Sequence, residues 1–175
     1  MRAVRNILIV VLALGLVAAL WTLFSLQKTQ QTAAPQSQAE PEQDFVTIYL
    51  VKSEPTEFHL VPVQRRTGGP ASPAAALQAL INGPLTDEEL FSSVPQSVRL
   101  LGLTVQDGLA SADFSAELIT DFNGGALLES YLVTAIVNTL TEFADIEKVQ
   151  ILVEGEVVES IGGHILVSKP LGRAH

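Results

Sequence analysis

The chain has 175 residues, 47% of them hydrophobic and 17% charged, a length that suits one domain with appendages rather than two full cores. It contains no cysteine, which excludes a disulfide, a thiolate metal site, a cysteine nucleophile and a lipid-modified cysteine. Formal charge is −9, and beyond residue 30 there are 7 basic against 19 acidic residues, a net −12; nucleic-acid binding, which needs clustered Lys and Arg, is excluded, with Arg65-Arg66 the sole basic doublet of that region.

Residues 1–6 form a short basic tip carrying Arg2 and Arg5. Residues 7–26, "ILIVVLALGLVAALWTLFSL", hold no charge, and at ~1.5 Å per residue they match a ~30 Å hydrocarbon layer. The positive-inside rule then predicts a transmembrane signal anchor with a cytoplasmic N-terminus, Trp21 near the outer interface and an extracytoplasmic body. The alternative is a cleaved signal peptide and a secreted protein, with Thr32-Ala33-Ala34 as a cleavage site. Residues 27–44 are rich in Gln, Pro and Ala, lack an apolar period and are expected to be a disordered linker.

The body is residues 45–175. "FVTIYLVK" and "FHLVPVQRR" read as strands joined by the turn-forming "SEPTE", with Pro62 placing the second strand at an edge. "SPAAALQALINGP" announces a helix at both ends: Ser72 as N-cap, Pro73 at the first position, Gly83 and Pro84 as the stop, and Ala74, Leu77, Leu80 and Ile81 on one face. Thr86 and Glu89 form a capping-box pattern for one further helical turn, which Pro95 keeps short. "VRLLGLTVQDGLASADFS" is a hairpin, with Leu101, Leu103 and Val105 alternating on one strand, Ala110, Ala112 and Phe114 on the other, and Asp107-Gly108 as a two-residue turn. From Ala126 to Phe143 a stripe of Leu128, Leu132, Ala135, Ile136, Leu140 and Phe143 marks the principal helix, entered through Asn123 and two glycines. Val149, Ile151 and Val153 alternate in a last strand, "EGE" turns the chain, and "VVESIGGHILVSKPL" completes it. The order β-β-α-β-β-α-β predicts an α+β fold, a small mixed sheet with two main helices packed on one face.

Candidate chemistry rests with the histidines and acids of this chain. A Ser-His-Asp triad has no G-x-S-x-G elbow, and His59, His164 and His175 fall in a strand, a turn and a terminus. His59 is expected to make an ordinary hydrogen bond, and His164 a structural one within a turn made by Gly162 and Gly163. Zinc sites want three or four ligands with pairs at helical or knuckle spacing, and no such pair occurs; no metal or cofactor is expected. Asp113, Glu117 and Asp121 cluster in sequence and read as a solvated face, the alternatives being a paired-acid hydrolase or a calcium site without EF-hand spacing. The glycine pairs at 68–69 and 124–125 match neither a Walker loop nor a dinucleotide fingerprint.

Taken in order, "VTIYLV", "LVPVQRR", "PAAALQALINGP", "VPQSVRLLGLTVQDGLASADFS", "IVNTLTEF", "VQILVEGEVVESIGGH" and "VSKPL" resemble the GerMN domain, a sporulation and spore-germination module, over about residues 45–171. The resemblance implies a ring-building-motif-like fold and a non-enzymatic, extracytoplasmic assembly module. Its implied partners are envelope or sporulation-complex proteins, or further copies of itself. GerM-type proteins often carry two copies and a lipobox cysteine, where this chain has one copy and what reads as a membrane anchor. A cell-wall glycan or small-ligand binding module is the alternative function.

Overall fold

A computed structural model describes residues 44–173. The anchor expected over 7–26, the basic tip, all of the expected linker but Asp44, and His175 lie outside the described residues. Among the described residues, no helix is long and apolar enough to cross a membrane.

The architecture is mixed α and β, but its strands divide into two sheets where the sequence pattern predicts one. In the first, β1 (Phe45–Ser53) lies between β2 (Phe58–Arg66) and the two-residue β3 (Leu90–Phe91). Pro62 stands opposite Tyr49 on the outer strand β2, where its missing N–H costs no ladder bond. The second sheet runs β4 (Leu100–Gln106), β5 (Leu109–Phe114), β6 (Lys148–Val153) and β7 (Glu156–Val157), with β8 (Leu171–Gly172) also paired to β6. This sheet is mixed, because β5 and β6 are parallel and the other pairs antiparallel. The parallel crossover carries α2 (Glu117–Thr120) and α3 (Ala126–Leu140), while α1 (Pro73–Asn82) lies between β2 and β3 of the first sheet in sequence.

Hydrophobic periodicity reports which face of a strand is buried but not which strand it pairs with, and β3 shows the consequence. The helical turn predicted from Thr86 and Glu89 is absent. Glu88 instead accepts the Leu85 N–H at 2.9 Å and pairs with the buried Arg65 of β2, holding a single turn at Thr86 and Asp87 after which Leu90 and Phe91 join β1. The acid that reaches back three residues is Glu88, onto Leu85, rather than Glu89 onto Thr86, and its charge-assisted bond to Arg65 fixes the segment in that register.

Other elements follow their signals. Ser72 caps α1 by accepting the Ala75 N–H at 3.2 Å, and Gly83 leaves the helix at φ 74°. Leu77, Leu80 and Ile81 are buried as expected, with Ala76 on the core side and Ala74 outside it. Asp107 and Gly108 take φ 50° and 78° in the β4–β5 turn, the left-handed pair that a tight hairpin requires. Ala110, Ala112 and Phe114 are buried on β5, but a β-bulge between Leu100 and Gly102 turns Leu101 outward, 47% exposed, and brings Leu100 against the core. On α3 the stripe Leu132, Ala135, Ile136 and Leu140 is buried; Leu128 is exposed, and Phe143 lies beyond the helix end, partly buried.

One core joins all of this, with both main helices packed against β1 and the α1 and α3 stripes continuous with β5 and β6. Fully burying a leucine such as Leu80 or Leu132 is worth about 1.5–3 kcal/mol, so the helices are held by packing more than by propensity. The Ser72 cap is the local exception. Replacing it by alanine is expected to cost about 1 kcal/mol in urea unfolding followed by circular dichroism, with the m-value unchanged.

Candidate functional site: a clamped loop and the cleft beside it

The principal helix carries one acid, Glu129, on the face it shares with Leu132, Val133 and Ile136, and that residue is wholly buried, at 0% exposure. A carboxylate in such a place stays ionised only if it is fully bonded; otherwise it takes up a proton or destabilises the region. The loop after β7 supplies the bonds. Glu129 Oε1 accepts the N–H groups of Ile161 and Gly162 at 3.0 and 2.8 Å, while Oε2 accepts the His164 N–H at 2.8 Å and lies 3.0 Å from His164 Nδ1. Successive backbone amides arranged around an anion form a nest, here occupied by the protein's own side chain.

The local sequence explains the shape of this loop. A Cβ on Gly162 would stand 2.5 Å from Phe122 and 3.0 Å from Glu129 Oε2, so only glycine lets the backbone approach. Gly163 takes φ 89°, which turns successive amides toward one point. Gln150, buried on β6, donates to the carbonyl of Val167 at 2.9 Å, and the Val167 N–H donates to the backbone carbonyl of Glu159 at 2.8 Å, tying down the far side. Burial pushes the Glu129 carboxyl upward, but the N–H groups of Gly162, His164, Ile165 and Ile161 outweigh it and hold the group below the usual glutamate range.

Next to the clamp is a cleft of about 270 Å³ lined by Ser92, Val94, Asp121, Phe122, Asn123 and Leu128, among others. Phe122 belongs to both features, with its ring between the cleft and Gly162. Gly125 stands at the cap of α3 without a side-chain bond, so Asn123, expected at the helix entry, lines the cleft instead. Leu127 and Leu128 in the first turn of α3 are 55% and 44% exposed.

The residues singled out from sequence distribute as follows. His164 makes the expected structural bond, and its partner is Glu129. His59 lies on β2, where its Nδ1 has no hydrogen-bond partner among the described residues, so the ordinary bond expected there is not formed. Asp113, Glu117 and Asp121 are each engaged separately. Asp113 accepts the Gly155 N–H at 2.8 Å, Asp121 accepts the Ser97 hydroxyl at 2.5 Å, and Glu117 lies 3.7 Å from Arg99. The hydroxyl of Ser97 beside Asp121, and that of Ser115 beside Glu117, hold both carboxyls below their ordinary values. The sequence pattern does not single out Glu129, although its signal is present: Leu132, Val133 and Ile136 stand three, four and seven residues on, so a lone acid begins the apolar stripe.

The comparisons with known proteins agree on the module. A family model described as "Germane: Sporulation and spore germination" matches residues 47–159, ending just before the clamped loop. The chain is similar to "Spore germination protein GerM" of Bacillus subtilis (strain 168), at 28% identity over 134 residues covering 72% of this chain and 36% of that protein. It thus spans about a third of the length of the curated relative it matches. The solved tandem GerMN domains of the sporulation protein GerM from Bacillus subtilis superpose with a TM-score of 0.63 at 24% identity, over 74% of this chain and 45% of that one. A putative lipoprotein from Clostridium perfringens gives a TM-score of 0.54 at 26% identity, over 73% of this chain and 86% of that one.

Two substitutions test the clamp. Glu129→Gln keeps the shape but removes the charge that the amides solvate, and is expected to destabilise by about 2–4 kcal/mol in chemical denaturation. Because the folded-state value lies below the unfolded one, the carboxylate's contribution is complete above about pH 4.3 and is lost as pH falls through the folded value. The parent's stability should therefore fall more steeply than that of Glu129→Gln on acidification below pH ~4.3. Gly162→Ala should cost about 1–3 kcal/mol, since Phe122 and the carboxylate must both move.

Proposed function

The chain belongs to the Germane family of sporulation and spore-germination domains, and on that premise we propose that it is a non-enzymatic assembly module which holds protein partners in the cell envelope. The observation that carries this reading is the surface beside the clamp. Leu127 and Leu128 project at the start of a helix whose next residue, Glu129, is locked into backbone amides, and they border a preformed cleft. Exposed leucines on a rigid support suit protein contact, because little side-chain or loop freedom is lost on docking. The similarity to GerM points to partners of the sporulation or germination machinery, or to further copies of the chain in a ring or other oligomer.

Anchoring through residues 7–26, with the body held outside the cytoplasm on the linker of residues 27–44, fits this role. The tether would confine the module to the membrane surface and raise its effective concentration toward a membrane-bound partner. A small-ligand or cell-wall glycan role is the second reading, favoured by the mixed lining of the cleft, where Ser92, Asp121 and Asn123 lie near the ring of Phe122.

A photo-crosslinking amino acid placed at Leu128 in the host is expected to capture an envelope protein or a second copy, while the same probe at exposed Gln78 on α1 captures none. Leu127→Asp with Leu128→Asp should abolish capture and leave the thermal melt within a few degrees of the parent. Monomeric native mass together with no adduct at Leu128 would overturn the assembly role. Enrichment on peptidoglycan that survives the double substitution would favour the second reading.

A further inference from the structure

The turn between β1 and β2 gathers chemistry that the assembly surface does not use. The Glu54 N–H donates to the Glu57 carbonyl at 2.8 Å and closes the turn, and Lys52 stands opposite His59 in the ladder. One ligand atom from each of Glu54, Glu57 and His59 lies within 4.8 Å of the others. Hairpin register assembles this trio, which is why a search for helical or knuckle spacing passes over it. His59 Nε2 approaches Glu54 Oε1 to 3.8 Å, too far for a hydrogen bond, and its buried Nδ1 has no hydrogen-bond partner among the described residues. An imidazole is thus presented to two carboxylates and bonded to neither, an arrangement that a cation between them would satisfy.

We propose that Glu54, Glu57 and His59 form a surface site for a divalent transition-metal ion, with zinc as the best match. One imidazole and two carboxylates are a borderline donor set that suits zinc, and three protein ligands leave coordination positions open to water. Calcium would want six to eight oxygens, and magnesium a near-octahedral oxygen shell, so neither is well served by this trio. Bonds of ~2.0–2.2 Å at a tetrahedral angle place donor atoms ~3.4 Å apart, so the trio must close by about 1.4 Å at most. The Glu54 and His59 side chains, 40% and 37% exposed, have room to do so. Lys52 Nζ now lies 3.2 Å from Glu54 Oε1 and acts as the competing cation. The site therefore binds metal against a built-in ammonium, and its affinity should rise when that charge is removed.

Titration calorimetry of the full chain with zinc chloride, after chelator treatment and near neutral pH, is expected to show one saturable site and no comparable heat with magnesium. Glu57→Gln and His59→Gln should each weaken zinc binding by at least about tenfold. Lys52→Gln, which leaves all three ligands in place, should strengthen it several-fold. No saturable binding at millimolar zinc would overturn the proposal. So would affinity unchanged by both ligand substitutions, which would locate the metal elsewhere, or affinity that falls in Lys52→Gln.

Discussion

A buried glutamate sets the terms for one end of this molecule. Glu129 faces inward from the principal helix, where hydrophobic burial would favour a leucine, and three backbone amides and an imidazole close around it. The loop it holds has few apolar anchors of its own, chiefly Ile161 and Val167, so without the carboxylate little apolar burial would fix its path. A buried charge of this kind adds less net stability than a well-packed apolar residue, because desolvation offsets most of the attraction. Its effect is selective: only one loop conformation presents the amides at Ile161, Gly162 and His164 together. Alternatives would strand the charge, and the gap between native and competing states widens accordingly.

The same constraint reaches the cleft. Phe122 packs over Gly162 on one side and lines the cleft on the other, so the position of the ring is tied to the loop and, through it, to Glu129. Leu128 touches the cleft from the residue before the clamp. Elsewhere the acidic character of the chain serves local ends. Asp113 and Glu154 exchange support across the ends of β5 and β6, Asp113 accepting the Gly155 N–H and Glu154 the Ala116 N–H. Carboxylates used in this way satisfy turn amides that the ladders leave unpaired.

What could be read in advance was whatever depends on neighbours in sequence. The cap at Ser72, the exit at Gly83, the Asp107-Gly108 turn and the edge placement of Pro62 are all decided by conformational preferences of single residues. The division into two sheets depends on which strands hydrogen-bond, and the bulge that turns Leu101 outward depends on pairing with β5; neither leaves a periodic trace. The capping-box pattern failed for a related reason, since Arg65, distant in sequence, engages a neighbouring carboxylate. At the site, the glycines and His164 read as a turn, and the partner acid is hidden because it stands at the head of an apolar stripe. Shifting the stripe by one residue, from Leu128 to Glu129, turns a core helix into a helix that clamps a loop.

Rigidity of this kind bears on what the surface can do. A flexible loop beside the cleft would have to be ordered by each partner, at about 1–2 kcal/mol per residue fixed, before any contact contributed. Here the ordering is completed during folding, by bonds internal to the chain. Leu127 and Leu128, 55% and 44% exposed, can then bury their remaining apolar surface in an association with little ordering cost. The polar lining of the cleft is divided: Asp121 accepts from Ser97 and Ser92 bonds the backbone at Val94, while Ser93 Oγ has no hydrogen-bond partner among the described residues. On the proposed assembly reading, a partner face would set apolar surface against Leu127 and Leu128 and a single polar group against Ser93, so that the order already present in the clamped loop is matched by a mostly apolar contact with one directional bond.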